Sequence, residues 1–314
     1  MQKKNSGIKI FAPASVGNVV CGFDVLGLAV KGVGDEVIAY FKEKPGLEIV
    51  HISGAKGKLP YEVKKNTAGL AAWRLLEYLG KTELGIALEL RKKMPIGSGL
   101  GSSAASAVAG AMAINELLKR PLEKRDLLPF ALAGETLAIG GQAHADNIAP
   151  SLLGGITLVR SSNPPDVQRL PIIPGLHLSL LSPELQVLTK EARSILSDAV
   201  PLKDFVRQSA NLGAFVAALY RQDFQLLRRS LEDFVIEPQR ASLIPQFYPL
   251  KEAALEAGAL GCSISGAGPA VFALSANSLV AEEVKEAMSE IWTRAGIDHQ
   301  AWVTEIDMEG AKKM

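Results

Sequence analysis

Between Pro95 and Ser106 the chain reads PIGSGLGSSAAS, with Gly97, Gly99 and Gly101 spaced two apart and Ser102 and Ser103 directly after them. Bare backbone followed by hydroxyls, where an alanine-rich helical run begins, is an arrangement that holds an anion. The first N–H groups of a helix have no internal partner, and the helix dipole adds about half a positive charge there. Glycines let a phosphate approach that backbone and make left-handed conformations cheap, so a side chain on Gly99 would fill the cradle. The hydroxyls of Ser102 and Ser103 add ligands for phosphate or for a magnesium ion. No lysine stands where a Walker A loop needs one, and G-x-G-x-G followed by serine is not the dinucleotide fingerprint. The alternative is a tight turn whose glycines serve only helix–strand packing, for which the run is long and rich in serine.

The elements that must position this loop surround it. Residues 8–15, 35–41 and 47–53 have strand composition, and 66–80 carries apolar residues at helical spacing with a closing glycine. A strand over 85–90 leads into the loop and a helix over 104–120 leads out. A helix over 127–141, a loop over 142–150 (QAHADNIAP) and a strand over 154–160 follow. Prolines and polar groups gather in 161–175, which marks a boundary between units of 1–165 and 166–314. Beyond it lie a strand over 176–183 and amphipathic helices between 190 and 257. A glycine-rich turn in 261–274, GCSISGAGPAVFAL, separates two short extended runs, and a helix over 281–296 and a strand over 300–306 finish the pattern. Strands and helices intermix without a regular βαβ beat, which predicts an α+β protein.

Composition narrows the partners. Of 314 residues, 48% are hydrophobic and 21% charged, as in a packed globular protein. Lysine and arginine number 34 against 33 acidic residues, a net charge of +1. That balance leaves no electrostatic footprint for nucleic acid or an anionic membrane, so any phosphate must be held by local geometry. Cys21 and Cys262 alone make neither a disulfide framework nor a zinc cluster, which points to a reducing compartment. The start MQKKNSGIKIF lacks a signal-peptide core and no run approaches a membrane span, so the expected location is cytoplasmic.

PIGSGLGSSAAS resembles the phosphate-binding motif of the GHMP kinases, the family of galactokinase, homoserine kinase, mevalonate kinase and phosphomevalonate kinase. FAPASVGNVVCGFDVLGLAV (11–30) resembles the first family motif and GCSISGAGPAVFAL the third, in the family's order, so the likeness spans nearly the whole chain. It implies an N-terminal α+β domain with a left-handed βαβ crossover, a C-terminal ferredoxin-like domain, and ATP and Mg²⁺ as nucleotide and cation. Ser15, Asn18, Gly22, Phe23, Asp24 and Gly27 follow the homoserine kinase version of the first motif. His144, Asp146 and Asn147 follow that version's His-x-Asp-Asn. The resemblance therefore implies phosphorylation of the side-chain hydroxyl of L-homoserine, a step of threonine biosynthesis.

Residue roles are implied in the same way. Pro95, Ile96, Gly97, Ser98, Gly99, Leu100, Gly101, Ser102, Ser103, Ala104 and Ala105 surround the triphosphate, with Asn66 near adenine. Ser103 and Glu135 take Mg²⁺. Asp146 addresses the acceptor oxygen, either as a base or by orienting the hydroxyl. Asn18, Asp24, His144, Asn147, Thr189, Arg193 and Arg240 enclose the amino acid, with Asp24 suited to an ammonium and the two guanidiniums to a carboxylate. Asn18 and Asp24 bracing their own turn, and His144 as a buried hydrogen-bonding residue, are the plainer readings. Family habit implies a homodimer. A GHMP kinase for a mevalonate- or shikimate-like alcohol and a non-catalytic relative stand as rivals.

Overall fold

The structure, a computed structural model, describes residues 7–139 and 144–314. Residues 1–6 of the stretch MQKKNSGIKIF, Gly140 and Gly141 of the expected helix over 127–141, and Gln142 and Ala143 of the expected 142–150 loop lie outside the described residues.

The first unit contains β1 (Ile8–Gly17), β2 (Leu26–Phe41), β3 (Leu47–Ser53), α1 (Thr67–Tyr78), β4 (Ile86–Arg91), α2 (Ser102–Leu117), α3 (Leu128–Ile139), α4 (Ala145–Leu153), β5 (Ile156–Ser162) and β6 (Pro165–Leu170). The second contains β7 (His177–Pro183), α5 (Thr189–Ser194), α6 (Leu202–Arg221), α7 (Phe224–Ser230), α8 (Glu237–Arg240), α9 (Phe247–Glu256), β8 (Gly261–Ile264), β9 (Val271–Ser275), α10 (Ser278–Arg294) and β10 (His299–Glu305). The chain then returns to the first sheet as β11 (Lys312–Lys313), paired with β1.

The first sheet runs β11-β1-β2-β4-β3, with the β5–β6 hairpin added to the early part of β2. β3 and β4 are parallel and are joined through α1. α2 lies against β1, β2, α1, α3 and α4 and is buried on nearly every face. Its alanines explain this, because small side chains let five neighbours approach one helix at close-packed density. Gly110 meets the Ala68 carbonyl of α1, where a Cβ would not fit. The second sheet, β10-β7-β9-β8, is antiparallel throughout, in the strand order of the ferredoxin-like βαββαβ arrangement. Trp292, Met288 and Phe247 fill the core between α9, α10 and that sheet.

The α+β architecture is as expected, and the differences are of detail. The expected 165/166 division falls at the start of β6; by sheet membership the first unit runs to Leu170 and regains 312–313. The expected 142–150 loop is helical from Ala145, which places Asp146 and Asn147 in the first turn of α4. Pro150 concealed that helix. It removes the N–H that would bond the Asp146 carbonyl one turn back, and Gly27 packs against that freed carbonyl with no room for a Cβ. Both cysteines are free and buried; burial pushes the Cys21 thiol up to about 12. Among the described residues no helix is long and apolar enough to cross a membrane.

Candidate active site

The segment from Lys92 to Gly101 carries the chain from β4 into α2, with Gly97, Gly99 and Gly101 at φ of 72°, 80° and 66°. Gly101 is the N-cap of α2 and offers no side chain, so the first amides of that helix stay open. The loop rests on the glycine-rich turn between β8 and β9. Ser265 Oγ donates to the Gly99 carbonyl at 2.8 Å, and the Ala270 amide donates to the Ser98 carbonyl at 2.9 Å. A Cβ at Gly99 would lie 2.6 Å from the Ser265 carbonyl oxygen and 2.8 Å from the Gly268 carbonyl carbon. This corrects the expectation for Gly99: a side chain there strikes the supporting turn rather than filling the cradle. A Cβ at Gly101 would strike the Ser15 hydroxyl. The glycines thus serve close packing and an open backbone together.

The loop, α3, α4, α5 and the middle of the first motif wall one cleft of about 520 Å³. Its lining includes Asn18, Asp24, Asn66, Ile96, Gly97, Ser98, Gly99, Gly101, Ser102, Ser103, Glu135, His144, Asp146, Asn147, Thr189, Arg193 and Arg240. Four expected loop residues do not line it. Leu100, Ala104 and Ala105 are core residues, and Pro95 lies on the far side of the loop.

Sequence reasoning missed the support under this loop. Lys92 is buried, pairs with Asp35 of β2, and donates to the Ser102 carbonyl at 2.8 Å and to Ser106 Oγ at 2.6 Å. Asp35 also accepts from the amides of Lys93 and Met94 and from Ser102 Oγ. The hydroxyl of Ser102 is therefore spent on Asp35, and that of Ser103 is not. The available signal was a lysine just before the loop and an acid inside an apolar strand.

Two carboxyls face each other's field across the cleft. Glu135 of α3 and Asp146 of α4 are both buried, and each is pushed up to about 7, first by burial. Asp146 also raises Glu135, and Asp24 raises Asp146. Ser103 Oγ stands near enough to Glu135 to offset part of that rise, yet Glu135 Oε2 and Ser103 Oγ are both buried and have no partner in good hydrogen-bond geometry among the described residues. Orphaned hard oxygens on facing helices fit a magnesium ion, which favours few protein ligands. Asn147 donates from Nδ2 to Asp146 Oδ2 at 3.3 Å and accepts from Ser15 Oγ at 2.9 Å. Gly17 makes room for this pair, since a Cβ would lie 2.5 Å from both side chains.

The remaining polar groups form a charged end. Arg193 donates to Asp24 at 2.7 Å, and His144 Nδ1 lies 3.5 Å from Asp24 Oδ2. Burial holds the His144 imidazole below its ordinary value, with Arg193 adding to that. Arg240 is buried; its Nε donates to the Ala192 carbonyl and its Nη1 to the Gly266 carbonyl, each at 3.0 Å. Burial, then the Arg193 charge, pulls Arg240 down to about 10. Thr189 opens α5 at the mouth, exposed.

Two amides are committed to bracing. Asn18 donates to the Gly266 carbonyl at 2.9 Å and accepts from the Asp24 amide at 3.2 Å. Asn66 caps α1, accepting from the amides of Ala68 and Gly69, and donates to the Pro60 carbonyl. Ser263 and Ser265 are spent on Glu237 and Gly99.

Family models agree with this geometry. The GHMP kinases N terminal domain matches residues 64–155 and the GHMP kinases C terminal domain residues 215–294. The homoserine kinase of Chlorobium phaeobacteroides (strain BS1) is 45% identical, covering 96% of this chain and 98% of the relative. That of Chloroherpeton thalassium is 46% identical, covering 96% and 98%. The crystal structure of homoserine kinase from Cytophaga hutchinsonii is 49% identical, with a TM-score of 0.96 over 100% of this chain and 99% of the other. With both units matched and such identity held from end to end, the chain belongs to the GHMP kinase family.

Proposed function

We propose that this chain is a homoserine kinase, transferring the γ-phosphoryl group of ATP to the side-chain hydroxyl of L-homoserine to give ADP and O-phospho-L-homoserine. The observation that carries the reading is one cleft with an open glycine loop at one end and Asp24, Arg193 and Arg240 converging at the other. A carboxylate and two guanidiniums complement an ammonium and a carboxylate on one small molecule.

The triphosphate lies against the amides of 97–103 at the start of α2, and adenine against Leu59, Pro60 and Ile96. Ser103 Oγ and Glu135 would hold Mg²⁺, which when bound neutralises charge on the phosphates. Arg193 and Arg240 take the substrate carboxylate and Asp24 its ammonium. That anchoring delivers the hydroxyl to Asp146. Phosphoryl transfer passes through a loose transition state, so alignment supplies much of the acceleration. As the new O–P bond forms, the bond to the bridging oxygen breaks and its electron pair leaves with ADP. The hydroxyl proton passes to Asp146, which burial makes a better acceptor than an ordinary aspartate.

The test is an ADP-release assay with Mg-ATP and L-homoserine, mevalonate, galactose and shikimate as acceptors. The expected result is a kcat/KM for L-homoserine about a thousandfold above the others, because a site built for a polar group rejects ligands that lack it. Comparable turnover of mevalonate or shikimate, or no turnover of any acceptor, would overturn the reading.

A further inference from the structure

Arg193 reaches Asp24 through a single nitrogen. Nη2 donates to both carboxylate oxygens, at 2.7 Å and 3.0 Å, while Nε is buried and makes no hydrogen bond among the described residues. A guanidinium meets a carboxylate best through two nitrogens in parallel, so Asp24 is an incomplete partner. The surroundings hold the guanidinium in place for a better one. The Phe23 ring lies 5.1 Å from the guanidinium carbons of both Arg193 and Arg240. Arg240 is fixed by the Ala192 and Gly266 carbonyls. Two like charges are thereby gathered at one ring, and Asp24 is paired with one of them, Arg193.

We infer that Asp24 is a stand-in carboxylate for Arg193 in the ligand-free protein, and that this pair makes the site select zwitterions by exchange of partners. The inference rests on the proposed substrate. A ligand bearing only a carboxylate takes Arg193 and strands the Asp24 charge in a half-buried cleft. A ligand bearing only an ammonium takes Asp24 and strands Arg193. Separating this partly buried pair leaves one charge without its partner, a loss that a single new contact does not restore. A zwitterion re-partners both charges at once and also satisfies Arg193 Nε. Discrimination then comes from what the wrong ligand leaves unpaired.

Calorimetry on the full chain separates this from a site in which Asp24 only attracts an ammonium. The probes are L-homoserine, 4-hydroxybutyrate (no ammonium) and 3-aminopropan-1-ol (no carboxylate). Asp24→Asn suits the test because Asp24 sits at φ 60°, a conformation asparagine tolerates. In Asp24→Asn, L-homoserine should weaken while 4-hydroxybutyrate binds about tenfold tighter than to wild type, since Arg193 is released. Reciprocally, Arg193→Gln should bind 3-aminopropan-1-ol about tenfold tighter than wild type does. Gain of either single-charge ligand in its matching variant supports the exchange. No gain in either, with both variants keeping the circular dichroism spectrum and cooperative melting of the wild type as proof of folding, overturns it. Failure of the wild type to bind L-homoserine would instead sink the substrate reading, and the two gains would still report on the pair.

Discussion

Below about pH 7, Glu135 and Asp146 retain protons that an exposed carboxylate would have lost, which couples stability to pH. Burial favours the neutral form, so each group holds its proton more tightly in the native protein than in the unfolded chain. Between about pH 4 and pH 7 the native state therefore binds more protons, and stability falls as pH rises through that window before levelling off. The melting temperature of the ligand-free protein should drop by about 5 °C across it, and Glu135→Gln should show a smaller drop. An equal drop in the variant would remove Glu135 as the source. At this scale the sequence was informative about residue type and poor about commitment. Asn18, Asn66 and Ser102 stood where ligand contacts were expected, and each lines the cleft. Their polar atoms are already engaged by Gly266, by the start of α1 and by Asp35. Hydrogen-bond partners more than sixty residues away, as for Asn18 and Ser102, leave no trace in a local motif.

The elements were read best where apolar spacing was regular, as in α1 and β4, and worst where one residue broke the pattern. Pro150 hid α4, and the glycines of β2 hid the first half of a strand that runs from Leu26 to Phe41. The loop before α2 was recognised from its composition, but its support was not. Gly99→Val places a β-branched residue at φ 80° with its Cβ against the backbone of Ser265 and Gly268. The loop must lift off that turn, with an expected loss of about 3 kcal/mol of stability and at least a tenfold weaker ADP affinity. Chemical denaturation and calorimetric titration measure the two losses. Normal ADP affinity in a destabilised variant would detach the loop's position from nucleotide binding.

Across the whole molecule, the site joins groups that no single unit possesses. Asp24, Glu135 and Asp146 come from the first unit, and Arg193 and Arg240 from helices that follow β7. Arg240→Ala should therefore raise the KM for L-homoserine by about tenfold or more while moving the KM for ATP less, since its hydrogen bonds go to the Ala192 and Gly266 carbonyls and none goes to the 97–103 loop. An equal rise in both would place Arg240 in overall packing. The arginines are ordinary in their own helices, so only the family resemblance singled them out in the sequence, and the structure adds their place beside Phe23 and Asp24. The most direct measurement is a crystal structure with a non-hydrolysable ATP analogue and L-homoserine bound together. The triphosphate is expected on the amides of 97–103, the amino-acid carboxylate on Arg193 and Arg240, and the hydroxyl beside Asp146. A nucleotide lodged away from that loop, or an amino acid turned with its carboxylate toward Asp146, would contradict that arrangement.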